Sequence, residues 1–486
     1  MDILIKNVTI ITMEQEEGII PDGEILIRGD RIVALGSRGS VRHPWEEGSP
    51  EDIPSCYRLP DDSGEWQEDG SQNGAPRTPP PTKAEGAKPG QEPLPRSDEG
   101  PPERVIDGAG MIALPGFVNS HTHAAMTLLR GYADDLPLME WLSEKIWPIE
   151  DKLTPEDVYW GSLLSCLEMI KSGTTAFADM YFHMEKTAQA VEKSGMRACL
   201  SRGMIGNGPN ADVAIEENAR LFTDWHGRAD GRLTVMLGPH APYTCPPDYL
   251  KRVCDLAAKL GAGLHIHIAE TLNEMEQIKA AYGKTPTAHL NSLGLFEHKV
   301  IAAHCVYLNQ TDLGILLQNN VDVAHCPESN MKLASGAAPV AEMLKTGINV
   351  GLGTDGASSN NNLDLLEEMR TAALLQKLVT SDPTAVPAYA ALSMATSGGA
   401  RALGLEGEIG VLRAGMKADL ILLNSKTPHL YPRHNHYANL VYAAHSADVN
   451  TVLVNGKILM ENRRVLTIDE EETLAKANEC AIRLTR

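Results

Sequence analysis

The chain has 486 residues, of which 43% are hydrophobic and 22% charged, with a formal net charge of -21. That length allows two or three domains, or one large barrel with additions, in the proportions of an ordinary soluble globular protein. The acidic balance argues against a nucleic-acid backbone or an anionic membrane as the natural partner, because either is repelled within the Debye length, and a small neutral or cationic ligand is easier to accommodate.

The first residues, "MDILIKNVTIITMEQEEG", carry an early acid and no long apolar core, so no signal peptide is expected. No run anywhere is long enough to span a bilayer. The eight cysteines are scattered without a CxxC pair. This fits reduced thiols, predicts a cytoplasmic protein and excludes a Cys-rich zinc module.

Residues 2–35 read as short alternating strands broken by turns, in "ILIKNVTIIT" and "GEILIRGDRIVALG". From Gly39 to Glu103 the composition changes sharply: 13 of the 30 prolines fall there, with few apolar residues. Such a segment buries too little surface to offset its ordering entropy, which predicts a disordered insertion or long surface loop over 37–103. A Pro-rich recognition arm is the other reading of it.

After "RVIDGAGMIALPGFVNSHTH" strand-like apolar runs recur: "TTAFADM", "RACLSRGM", "LTVMLGPH", "GLHIHIAE", "VIAAHCVY", "VDVAHCPESN" and "NVGLGTDG". With the HTH strand they number eight. Helical patterns such as "PEDVYWGSLLSCLEMIKSG", "CPPDYLKRVCDLAAKLGA" and "NLDLLEEMRTAALLQKL" lie between them. Eight buried strands alternating with helices predict an α/β fold, a (β/α)8 barrel over 115–405. The tail returns to strands, "ADLILLN" and "TVLVNGKILMENRRV", with an Asn455-Gly456 turn. The two ends are expected to pair, so that 1–36, 104–114 and 406–486 build one small β-sandwich beside the barrel.

In such a barrel the active site sits at the C-terminal ends of the strands. Five of the eight runs end in histidine (His121 with His123, His240, His267, His304 and His325), and a sixth ends in Asp355. Side chains alternate along a strand, so His121 and His123 share a face about 7 Å apart. Alone they are either metal ligands or two core histidines. Zinc prefers imidazole and carboxylate, and a catalytic site keeps one position open. His121, His123, His267 and Asp355 supply three nitrogens and one oxygen. His265 shares a face with His267 and is expected to pack deeper. Glu270, three residues past His267, reads as a proton shuttle beside metal-activated water or as a surface glutamate starting a helix. His304 reads as a second metal ligand, an acid or a core histidine, and His325 as a site-lining or structural residue. Asp355 could equally be a loop aspartate or a helix cap.

Taken together, "PGFVNSHTHAAMTLLRGYADDLPLMEWL", "DMYFH", "GPHAPYTC", "HIHIAET", "AAHCVYL", "SNMKLASGAAPV" and "GTDGASSNNNLDLLEEMR" resemble the amidohydrolase superfamily. Within it they are most similar to the 5-methylthioadenosine/S-adenosylhomocysteine deaminases. The likeness covers nearly all of the chain except 37–103. It implies one divalent metal per subunit, normally zinc, on His121, His123, His267 and Asp355. It implies that Glu270 passes a proton to the purine ring, that His304 orients the attacking hydroxide, and that Asp355 is both ligand and proton acceptor. It implies ammonia and an inosine-type nucleoside as the products. Relatives with two metals usually bridge them through a lysine at the end of the fourth strand, where this chain has "MLGPH", so one metal is expected.

The same resemblance makes Glu150 the acceptor of the ribose hydroxyls, His240 a sugar contact and Arg202 a holder of the homocysteine carboxylate. Each also has a plainer reading, as a helix-face carboxylate, a strand-end core histidine and a solvated arginine. Some relatives carry a second arginine where this chain has Ala214. That loss of a charge-assisted pair weighs against S-adenosylhomocysteine more than methylthioadenosine. The partner is thus a small nucleoside, with a homo-oligomer left open. Two alternatives stand beside this expectation: a deaminase or dechlorinase of a bare base or s-triazine (guanine, cytosine, triazine), and a non-catalytic scaffold on an amidohydrolase barrel.

Overall fold

The computed structural model describes residues 2–41 and 101–486. The insertion and recognition-arm readings of the Pro-rich segment therefore fall, for 42–100, outside the described residues. Five strands precede the barrel: β1 (Ile3–Ile11), β2 (Ile19–Arg28), β3 (Arg31–Ser37), β4 (Arg104–Asp107) and β5 (Met111–Pro115). The barrel strands follow as β6 (Phe117–Thr122), β7 (Thr174–Tyr181), β8 (Arg197–Met204), β9 (Leu233–Pro239), β10 (Leu264–Ile268), β11 (Val300–His304), β12 (Asp322–His325) and β13 (Val350–Leu352). The chain closes with β14 (Leu420–Asn424), β15 (Val449–Val454), β16 (Lys457–Glu461) and β17 (Arg464–Val465).

β6 to β13 form one parallel sheet in sequential order, the (β/α)8 barrel. Six of them, β6, β7 and β10 to β13, are buried along their whole length. Helices cover their outer faces and side chains fill the interior, which is why these segments read as continuous apolar runs. The helices between them obey local rules. Pro155–Ser172 starts at a Thr154–Asp157 capping box with proline in its first turn, and stops at Gly173 in the left-handed region (φ 92°).

The remaining strands join in one nine-stranded sheet, in the order β17-β16-β15-β14-β5-β1-β2-β3 with β4 added on β1. Alternation along β14 shows how it packs. Leu420 and Leu422 join Ile3, Ile5, Ile25 and Ile27 in the sheet's own core, while Ile421 and Leu423 belong to the barrel's core. Asn455 (φ 47°) and Gly456 (φ 67°) make the two-residue turn between β15 and β16. Among the described residues no helix is long and apolar enough to cross a membrane.

Candidate active site and metal centre

At the mouth of the barrel, three imidazoles and one carboxylate converge. Asp355 Oδ1 lies 3.4 Å from His121 Nε2 and 3.2 Å from His123 Nε2. His267 Nε2 lies 3.4 Å from His123 Nε2. Strand alternation puts His121 and His123 side by side, with ring centroids 4.9 Å apart. Asp355 follows β13 in the left-handed region (φ 59°), which turns its side chain back over the site. The approach is close enough to require glycine nearby: a Cβ on Gly353 would stand 2.9 Å from the backbone N and O of His121.

The donor set fits a divalent metal. His123 Nδ1 donates to the Met180 carbonyl (2.5 Å) and His267 Nδ1 to the His240 carbonyl (2.7 Å). A carbonyl can only accept, so both rings keep their Nε2 lone pair for the centre. His121 Nε2 is buried with no hydrogen-bond partner. A fully buried polar atom aimed among three other donors is what a ligand looks like before its ion is counted. His121, His123 and His267 group at ligand spacing, and so do His121, His304 and Asp355.

The electrostatics agree. Burial pushes His121 down to about 4 and holds His267 well below the ordinary imidazole value, so both rings are neutral, as ligands must be. Burial alone would raise Asp355, but the His121 and His123 imidazoles beside its carboxylate hold it well below the usual carboxylate range. Its other oxygen, Oδ2, accepts from Ser329 Oγ (2.7 Å) and Ser359 Oγ (2.8 Å).

Glu270 and His304 face each other at 4.0 Å beside this cluster. Burial raises the Glu270 pKa. For His304, burial pulls down but Glu270 and Asp355 outweigh it, and the net shift is upward. His304 Nδ1 donates to Asn330 Oδ1 at 2.9 Å, which directs Nε2 towards Glu270. The backbone of the Glu270 loop is held in turn by Glu274, whose carboxylate accepts from the Ala269 and Glu270 amides, each at 2.9 Å.

A cleft over these groups is lined by His123, Glu150, His240, Glu270, His304 and Asp355, and by the apolar Leu138, Trp141, Trp147 and Phe182. Glu150 ends the short helix Trp147–Glu150. Burial raises its carboxyl to about 7, against a hydrogen bond from Tyr181. Burial takes His240 down to about 3. The Thr244 hydroxyl donates to the Ala241 carbonyl (3.1 Å), so it accepts from His240 Nδ1 (2.9 Å) and leaves Nε2 open to the cleft. Arg202 stands apart. It does not line the cleft; its Nε is 2.7 Å from Glu217 Oε2, and its guanidinium lies 5.0 Å over the Phe182 ring. His325 is fully buried outside the cleft lining, and Ala214 is buried on the helix Ala211–Trp225.

Sequence reasoning did not reach Ser329, Asn330, Ser359, Glu274 or Tyr181. The adjacent Ser329-Asn330 pair just after a histidine-ended strand was the one available signal. The helix Pro327–Lys332 carries both, so that one residue holds Asp355 and the next holds His304.

Residues 112–459 match the model of the amidohydrolase family. A 5-methylthioadenosine/S-adenosylhomocysteine deaminase of Pelotomaculum thermopropionicum is 56% identical over 483 residues, 99% of each chain. Among solved structures, an adenosine deaminase from Xanthomonas campestris with bound zinc superposes with a TM-score of 0.84 at 31% identity, over 99% of this chain and 98% of the other. An atrazine chlorohydrolase from Arthrobacter aurescens TC1, complexed with zinc, gives 0.80 at 25% identity, over 99% and 100%.

Proposed function

The chain belongs to the amidohydrolase family, and from that premise we propose that it hydrolytically deaminates the adenine ring of 5-methylthioadenosine and S-adenosylhomocysteine, releasing ammonia and the inosine-type nucleoside. The observation that carries this is the relative of that name, 56% identical along nearly the whole of both chains. The cleft supports it, since Glu150 lines it together with His123, His267 and Asp355 and can serve as an acceptor for sugar hydroxyls.

The enzyme is metal-dependent. We assign the ligands as His121, His123, His267 and Asp355 and the ion as Zn2+, one per subunit. Three imidazoles and one carboxylate suit that ion, zinc is bound in the two solved relatives, and His240 rather than lysine directly follows the fourth barrel strand. Such an ion lowers the pKa of water towards about 7 and so supplies a nucleophile at neutral pH.

The protein's own groups manage the protons. Water brings one oxygen and two protons to C6. One proton reaches ring N1 through Glu270, which burial makes easier to protonate than an ordinary carboxylate. The other reaches the departing amino group through Asp355, and ammonia leaves. His304, fixed by Asn330, orients the attacking oxygen. Glu150 accepts the ribose hydroxyls and His240 contacts the sugar, while Leu138, Trp141, Trp147 and Phe182 suit a thioether tail. Arg202 reaches a homocysteine carboxylate only by leaving Glu217, so methylthioadenosine is the easier substrate.

Steady-state assays on methylthioadenosine, S-adenosylhomocysteine, adenosine, guanine, cytosine and an s-triazine, with metal content measured on the same sample, test this. Turnover of the two thioether nucleosides is expected. Turnover of bare bases or triazines alone would replace the proposal with the bare-base alternative, and an inactive, metal-free native protein would replace it with the scaffold.

A further inference from the structure

Two of the three ligand imidazoles take their orientation from backbone carbonyls, but the third does not. His121 Nδ1 meets another imidazole: it lies 2.8 Å from His265 Nε2, in a fully buried contact. A carbonyl forces its partner to carry the proton, whereas an imidazole nitrogen can give or receive one. The state of His121 is therefore open until that of His265 is specified.

Only one of the two arrangements is compatible with a metal. If His265 Nε2 carries the hydrogen, His121 Nδ1 accepts, and the His121 proton sits on Nε2 among His123, His267 and Asp355. If His265 Nε2 is bare, His121 Nδ1 donates to it and Nε2 keeps its lone pair for the centre. A neutral His265 then holds its own hydrogen on Nδ1. That atom is buried and has no hydrogen-bond partner. Plain packing does not call for this: at this fully buried position of β10 an aliphatic side chain would leave no nitrogen stranded.

We propose that His265 is a positioning residue of the metal centre, which by accepting at Nε2 from His121 Nδ1 fixes the tautomer and ring orientation that let His121 bind the ion. It rests on the assignment of His121 as a ligand made above. Outer partners of ligand histidines of this kind typically change metal affinity by about 10- to 100-fold.

The test uses glutamine and methionine, which have nearly the same shape and differ in that only glutamine brings a carbonyl oxygen to the place of His265 Nε2. Zinc dissociation constants are measured by competition with a chelator, alongside thermal unfolding of the metal-free proteins. His265→Met should weaken zinc binding about 10- to 100-fold, and His265→Gln should restore most of it at a similar apo stability. Wild-type zinc affinity in the methionine variant, or equal loss in both variants, overturns the role. If the methionine variant does not fold, the wild-type zinc protein decides, since long-range 1H–15N correlation of histidine-labelled protein must find His265 protonated on Nδ1, and protonation on Nε2 overturns the proposal. His121→Ala separates the two levels of inference: full zinc binding by that variant would remove the ligand set, and this role with it.

Discussion

The backbone amide of Asp355 donates to the carbonyl of His121 at 3.0 Å. This contact joins the segment just after the last barrel strand to the first strand, at two members of the metal-ligand cluster. Beside it, Gly353 leaves no room for a Cβ, which would press on the His121 backbone at 2.9 Å. Backbone atoms cannot swing aside as a side-chain end can. Gly353→Ala should therefore destabilise the fold by about 1–3 kcal/mol and weaken metal binding with it, as thermal unfolding with and without chelator would read. An alanine variant with unchanged stability and metal affinity would show that the two strands separate freely here.

Ligand and proton carrier should separate cleanly. His267→Ala removes one of the converging donors and is expected to lose metal and activity together. Glu270→Gln keeps the shape and the metal site but can neither give nor take a proton, so it should retain wild-type metal content while kcat falls by about 10²- to 10⁴-fold. Full turnover by the glutamine variant would sink the proton-transfer role of Glu270.

Much of this site is legible in the sequence, because a polar residue at the end of a buried strand stands out against the apolar run before it. His121, His123, His267, His304 and Asp355 were found that way, and the eight runs themselves mark the barrel. What orients them is not legible. The partners of His123 and His267 are the carbonyls of Met180 and His240, contributed by neighbouring strands or the residues just after them, and a backbone carbonyl leaves no mark in a sequence. Their meeting depends on inter-strand register, which alternation within one strand does not specify. His265 was placed beneath the site, where it lies, but its bond to His121 spans 144 positions and has no local signature.

Glu150 should make substrate binding depend on pH near neutrality. Burial raises its carboxyl to about 7, so it is ionised above that pH and protonated below it. The carboxylate accepts two ribose hydroxyls better than the acid does. KM for methylthioadenosine should thus rise as pH falls through about 7, and Glu150→Gln should flatten that limb of the profile at a uniformly higher KM. The effect on folding has the opposite sign. A folded pKa raised above the unfolded value favours the native state fully below about 4.5, and this contribution is lost as pH rises through about 7. A KM profile in the wild type that does not change between pH 6 and 8, assay values spanning this window by about one unit each way, would remove Glu150 from the binding site.

Arg197, the first residue of β8, joins the barrel to the nine-stranded sheet. Its Nε and Nη2 meet Asp419 Oδ2 and Oδ1 at 2.9 and 3.2 Å, Nη2 also donates to Asn455 Oδ1, and Arg197 and Asp419 are each 2% exposed. Asp419 in turn accepts from the Asn455 amide at 2.8 Å, which ties the turn after β15 to the same pair. Removing one member strands the other charge in a dry place, whereas removing both leaves only a packing problem. Asp419→Ala should accordingly cost about 3–5 kcal/mol in urea unfolding, and adding Arg197→Met to it should recover a large part of that loss. Neither residue lines the cleft, so kcat of each variant, measured well below its unfolding temperature, should match the wild type. A double variant as unstable as the single one would mean that the pair holds the two parts together by attraction rather than by mutual neutralisation.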